Sequence, residues 1–381
     1  MHKVRTALKF VCVSAMLVLS GCSLFSHKAP SSPPAALGKF KPSVTVRTVW
    51  IAFLGSAEAY AFAPAFLGTS IYAASADGTV NRIEATTGVS VWRINAGMKL
   101  TAGVGTDGFI VAVAGEKGVV LAYDAEGKLR WKAQASSEVL SSPAVGQGLV
   151  IVRSLDNRIT AFDAETGERR WTAQRSVPSL TLRAAPGILI VPQAAFVALP
   201  GGRLSALNLA NGGPWWEMAI GDPRGTTELE RVADASGMPL LVGRDVCAVA
   251  YQGRVGCFDA GTGVAHWVKN FSSSVGVGAD DHNLYAADER GGVSAFTLDT
   301  GMLSWRNTQL ANRGLSSPVT LGSAVVVGDF EGYIHFLSRQ DGGLIGRVRV
   351  DKSAVLPTAI VVGSNVIFQT KSGTLIAFAT E

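Results

Sequence analysis

The chain has 381 residues, with 34 Lys and Arg against 29 Asp and Glu, 43 Gly, 15 Pro and 4 Cys. Charged residues make up 17% and apolar residues 48%, which excludes a long disordered or coiled-coil chain, and the load of Gly and Pro excludes a helical bundle. Four Cys are too few for a disulfide-dense scaffold, and five scattered His without a close pair point away from a metal enzyme.

Residues 1–21 contain Lys3, Arg5 and Lys9 and no acid, so the rest of the chain holds 31 basic and 29 acidic side chains. That is not a nucleic-acid-binding balance. Phe10 to Leu19 is an apolar run of ten interrupted only by Ser14. It is too short to span a bilayer, which needs about 20 residues, and it suits the apolar region of an export signal. The run ends in Leu19-Ser20-Gly21-Cys22, which resembles the bacterial lipobox, where the Cys thiol receives a diacylglycerol. In lipoproteins an Asp after the Cys marks retention in the inner membrane. Ser23 stands there instead and implies delivery to the outer membrane, anchored without spanning. Residues 22–43 carry Pro30, Pro33, Pro34 and Pro42 among serines and read as a tether, whose 21 residues after Cys22 reach roughly 70 Å when extended.

From residue 44 onward the chain repeats itself. DGTVNRIEATTGVSVW (77–92), KGVVLAYDAEGKLRW (117–131) and DNRITAFDAETGERRW (156–171) are followed by related segments at 201–216, 252–267 and 290–305. A seventh copy, 331–346, has Gly346 where the others have Trp, and an eighth, 372–381, stops at the last residue. Turn glycines at 88, 127, 167, 212, 263, 301 and 342 are about 42 residues apart. Each unit holds four short β-rich runs with a turn every eight to ten residues, the pattern of one propeller blade. The length predicts an all-β, eight-bladed β-propeller of four-stranded antiparallel blades. The eighth blade lacks its last strand, while Thr48-Val49-Trp50-Ile51-Ala52 is an orphan strand at the front. Donating that strand to blade 8 closes the ring and removes both open edges.

Chemical motifs are sparse. Gly103-Val104-Gly105-Thr106-Asp107-Gly108 matches a dinucleotide pattern, but a strand follows it where a helix is required. Asp280-Asp281-His282 occupies a repeat turn and reads as solvated. Cys247 and Cys257 flank the turn at Gln252, so they either face each other as a disulfide in an oxidising compartment or remain two buried thiols.

The A-x-D-x-x-T-G-x-x-x-W repeat resembles that of the pyrroloquinoline-quinone (PQQ) dehydrogenases, eight-bladed propellers that bind calcium with the quinone. No adjacent Cys pair and no acidic cluster assignable to calcium is present. Over essentially its whole length the chain is similar to the BamB family of barrel-assembly lipoproteins. The similarity includes PSLTLR (178–183), TTELERVADASGMP (226–239) and GDFEGYIHFL (328–337). This resemblance implies a non-catalytic lipoprotein on the periplasmic face of the outer membrane, lipidated at Cys22 and without a cofactor. Its implied partners are the POTRA domains of BamA and other members of the assembly complex, with unfolded outer-membrane proteins a further candidate. The family's BamA contact uses a Leu-x-Leu-Arg element and acidic residues of the neighbouring blade's loop. These fall on Leu180, Leu182, Arg183 and Asp234, while a second acidic position falls on Ser236. The alternative reading is a periplasmic quinoprotein dehydrogenase or a ligand-binding propeller.

Overall fold

The computed structural model describes residues 33–381 apart from 176, 177, 179, 183–185, 222, 356 and 357. The export signal, Cys22 and Arg183 therefore lie outside the described residues. Residues 35–381 form eight four-stranded antiparallel sheets. Blades 1 to 7 each use four consecutive strands, and their short inner strands neighbour one another around the ring, from blade 8 back to blade 1. Blade 8 takes three strands from Ile360–Thr380 and its outer strand from Val46–Phe53, paired from Val46 opposite Thr380 to Phe53 opposite Thr374 with a bulge between Thr48 and Trp50. The ring is closed by the orphan strand. No helix among the described residues is long and apolar enough to cross a membrane.

The alternation expected along the strands survives mainly in the outer ones. Arg169–Gln174, for example, reads exposed, exposed, buried, exposed, buried, exposed. The second strands, such as Ile110–Ala114, are buried on both faces, because every blade packs a neighbour against each side. The core is accordingly a series of clusters between adjacent blades. Ile71 and Ile83 of blade 1 meet Ile367 and Leu375 of blade 8 around Trp50.

The repeat residues build the interblade contact. Each repeat Trp lies on an outer strand, beside a bulge in its pairing with the third strand. Its indole N–H donates to a carbonyl in the next blade's turn: Trp92 to Ala125, Trp131 to Ala164, Trp171 to Leu209, Trp216 to Ala260, Trp267 to Leu298 and Trp305 to Arg339, at 2.7–3.0 Å. Trp50 does the same across the seam, donating to Ala85 of blade 1 at 3.0 Å. The turn glycine receives the ring face. Gly167 has φ 73°, and a Cβ there would sit 2.6 Å from Trp131 Cδ2, so no other residue fits both demands. The turn itself is tied by Asp163, whose carboxylate accepts the amides of Glu165 and Thr166 at 3.0 Å.

Two expectations change. Residues 35–43 are not a free tether: Ala35 N donates to Ala311 O at 2.8 Å and Ser43 N to Ile345 O at 3.0 Å. Asp280 is not a solvated turn residue either. Its carboxylate takes Tyr285 Oη and Arg339 Nε, with Arg339 also 2.9 Å from Asp281, so this turn links blades 6 and 7. Cys247 and Cys257 sit directly opposite on the second and third strands of blade 5, Cα–Cα 4.1 Å, joined by a disulfide and fully buried.

Candidate functional site

The two longest connections of the ring lie side by side in sequence order. One joins the outer strand of blade 3, Arg169–Gln174, to the inner strand of blade 4, Ile188–Val191. The other joins the outer strand of blade 4, Pro214–Ala219, to the inner strand of blade 5, Ala235–Val242. Leu180 on the first loop is 47% exposed, whereas Leu182 is half-buried.

Asp234, at the end of the second loop, is buried at 4% exposure and does not present its carboxylate to solvent. Direct contact with a partner, as expected for it, does not fit this burial. The carboxylate instead accepts Leu182 N of the first loop and Gly201 N of blade 4, the latter at 2.8 Å. Its own carbonyl takes Tyr251 N at 2.8 Å. One residue, through its side chain and its carbonyl, thus ties three stretches of blades 3 to 5 together. Burial pushes the Asp234 carboxyl above its usual range, while the two amides and the nearby Arg153 pull the other way. Ser236, also buried, donates its hydroxyl to Asp234 O at 3.3 Å and leaves the carboxylate alone.

Arg153 was not singled out in the sequence. It ends the second strand of blade 3, where blades 1, 2, 6 and 7 have Ala74, Ala114, Ala287 and Gly328. A cationic residue breaking a run of small ones was the available signal. Burial lowers its pKa to about 10 against the opposing charge of Asp234, and its Nε finds no hydrogen-bond partner among the described residues.

Beside the first loop lies a cavity of about 240 Å³ lined by Pro178, Asn157, Gly201, Arg175, Arg203 and Glu217 among others. Glu217 sits 3.5 Å from both guanidiniums, and Arg175 Nη2 is buried without a partner among the described residues. On the second loop Glu230 accepts the amides of Thr226 at 2.9 Å and Thr227 at 3.0 Å, which hold its carboxyl down at about 2. That turn displays Leu229 at 73% exposure. The described part of the arrangement offers exposed leucines, Leu180 and Leu229, and no pair of nucleophile and base.

A second cavity of about 430 Å³ lies on the ring axis, since seven blades contribute to its wall. A PQQ-type cofactor would bring several carboxylates and a calcium ion. The wall is Ala, Gly, Ser, Thr, Leu and Val with Tyr60, and none of its described residues is charged. It does not fit that group. The Gly103–Gly108 segment contributes the inner strand of blade 2, Gly105–Thr106, where a Cβ on Gly105 would come 1.8 Å from Pro143 O. Its glycines serve close packing of inner strands. Among the described residues Asp245, Asp259 and His266 bring ligand atoms within 4.8 Å of one another. They are engaged otherwise, Asp259 in an ion pair with Arg244 at 3.0 Å and Asp245 in a hydrogen bond with His266 Nδ1 at 2.8 Å.

Comparison with known proteins agrees with this geometry. The family model described as "Outer membrane protein assembly factor BamB" matches residues 76–307. The assembly factor BamB of Bordetella pertussis is 46% identical over 96% of this chain and 95% of its own length. That of Burkholderia pseudomallei is 42% identical over 98% of each. The crystal structure of BamB from Moraxella catarrhalis superposes with a TM-score of 0.82 at 27% identity, covering 88% of this chain and all of that one. A europium-containing methanol dehydrogenase also superposes, with a TM-score of 0.68 at 13% identity, which shows the shared fold alone. The chain belongs to the BamB family of outer membrane protein assembly factors.

Proposed function

We propose that this protein is a non-catalytic scaffold of the outer-membrane β-barrel assembly complex, held on the periplasmic face by lipid at Cys22 after removal of residues 1–21. The docking surface is the pair of long loops, with Leu180, Leu182 and Arg183 facing the POTRA domains of BamA and Asp234 setting the loop from behind. The observation that carries this reading is the buried Asp234 carboxylate gripping Leu182 N. It anchors the main chain at Leu182 while nearby Leu180 stays 47% exposed, and an exposed apolar side chain beside an anchored main-chain position suits an interface centre. The neutral wall of the axial cavity disfavours the dehydrogenase reading.

Isothermal titration of isolated BamA POTRA domains tests it. Leu180→Asp and Arg183→Glu should each weaken binding at least tenfold with unchanged melting. Wild-type affinity in both folded variants would move the docking surface elsewhere on the ring.

A further inference from the structure

GDFEGYIHFL (328–337) lies on blade 7, away from the loops just described, and the docking reading leaves it unexplained. Its polar residues converge on one point. Arg313 is 2% exposed, and burying a guanidinium is costly unless its donors are placed. Nε donates to Asp329 Oδ2 at 2.7 Å and Nη2 to Glu331 Oε2. Nη1 donates to a main-chain oxygen 278 residues away, Ala35 O, at 3.0 Å.

A second arginine repeats the arrangement. Arg347 Nη1 donates to Gly38 O at 3.2 Å, and its guanidinium lies 5.0 Å from the Phe40 ring. Its Nε donates to His335 Nδ1 at 3.3 Å, and His335 Nε2 meets Asp329 Oδ2 at 2.9 Å, both residues fully buried. Asp329 thus orients both guanidiniums, one directly and one through the imidazole. The main chain adds Ala35 N to Ala311 O and Ser43 N to Ile345 O. Without residues 35–43, Arg313 would lose one acceptor and its cover, so the blade-7 site is incomplete unless that segment is seated.

We propose that blade 7, with Arg313, is a built docking site for the chain's own segment 35–43, and that this site fixes where the N-terminal lead leaves the propeller. Recognition is of main-chain carbonyls, which suits the small residues Ala35, Ala36 and Gly38. The consequence for the membrane rests on the anchoring at Cys22 proposed above. Seating residues 35–43 takes nine residues, about 30 Å of the roughly 70 Å extended reach, out of the connection to Cys22, which then always departs from the same blade. The body is therefore held at a restricted distance and facing.

The test uses the mature chain with Cys22→Ser, so its outcome does not depend on lipidation. Trypsin cleavage after the exposed Lys39 requires the segment to leave blade 7. The parent should be cut there slowly. Arg347→Ala and Phe40→Ala should each accelerate that cut at least tenfold, with the melting of the propeller and its affinity for POTRA domains unchanged. Hydrogen exchange at Ser43 N should rise in parallel. Cleavage of the folded parent as fast as of the urea-unfolded chain, or parental rates in both variants, would overturn the proposal.

Discussion

Replacing Asp234 with Ala separates a positioning role from direct contact. The change orphans two amide donors, Leu182 N and Gly201 N, and removes the charge opposing the burial of Arg153. An unsatisfied buried donor costs about 1–3 kcal/mol. Leu182 and Gly201 are only half-buried, so water can reach both and each falls at the low end of that range. With a similar contribution from Arg153 the total is about 2–4 kcal/mol. The bond from Tyr251 N to Asp234 O involves only backbone, so blade 5 keeps its register and the loss is confined to the loop. Hydrogen exchange at the Leu182 and Gly201 amides should rise by one to two orders of magnitude. Affinity for BamA POTRA domains should fall about tenfold or more, because the loop must be ordered anew at each binding event. Lost affinity with intact amide protection would mean that Asp234 meets the partner itself, and the positioning argument would fail.

Two further outcomes are expected. Deleting 46–53 removes the Trp50 dock on Ala85 and opens the edge at Thr374–Thr380. It should lower the chemical-denaturation midpoint far more than deleting 23–34, since truncating one buried Trp alone costs about 3–5 kcal/mol; equal midpoints would sink the ring-closure account. Stability should also fall from neutral to mildly acidic pH. Burial, helped by Arg347 and Arg313 and opposed by Asp329, holds the His335 pKa below its ordinary value, so the unfolded chain binds the proton first. That contribution is complete above about pH 6.5 and is lost as pH drops through it. Asp329 adds the same sign lower down: burial would raise its carboxyl, but hydrogen bonds from His335, Tyr333 N and Arg313 hold it below the usual range. Melting temperatures from pH 7.5 to 5 should decline in the parent and flatten in His335→Gln; a flat parental profile contradicts this.

The ring was legible because its main contact is periodic. Every Trp-to-turn dock recurs at blade spacing, so the partner residues, Trp131 and Gly167 for instance, sit in a countable pattern. The Cys247–Cys257 pairing was half legible, since both flank one turn, but spacing cannot distinguish a bond from two thiols. The long loops were legible in position, but the burial of Asp234 was not. The family resemblance places Asp234 at a partner contact, yet its carboxylate lies inside, 52 positions from an amide it holds. Residues 35–43 were least legible. Their contacts join positions about 300 apart through main-chain carbonyls, and carbonyls leave no trace in side-chain patterns.

Gly346 looks in the sequence like a decayed repeat position, and restoring Trp there looks like a consensus improvement. The structure argues the reverse. Gly346 pairs with Phe336, whereas Trp131, Trp171, Trp216 and Trp305 pair with alanines 122, 161, 206 and 295. The bulk missing from the outer strand of blade 7 has been moved to its third strand. The next blade also cannot receive an indole. Blade 8 takes its outer strand from residues 46–53 at the front of the chain, so no repeat turn with its glycine and carbonyl joins its third and fourth strands among the described residues. The vacated space is filled from the front of the chain: a Cβ on Gly346 would lie 3.0 Å from Val44 Cγ2 and 3.2 Å from Val46 Cγ2. Gly346→Trp must displace these valines or Phe336, and overpacking of this kind costs about 1–3 kcal/mol, with loss of the Val46–Thr380 register a further risk. The variant should melt several degrees below the parent, and Gly346→Trp with Phe336→Ala should recover only part of that loss, because the receiving turn is still missing. A higher melting temperature for Gly346→Trp would show that the seam between blades 7 and 8 is loosely filled, and that Val44 and Val46 do not take the place of the eighth dock.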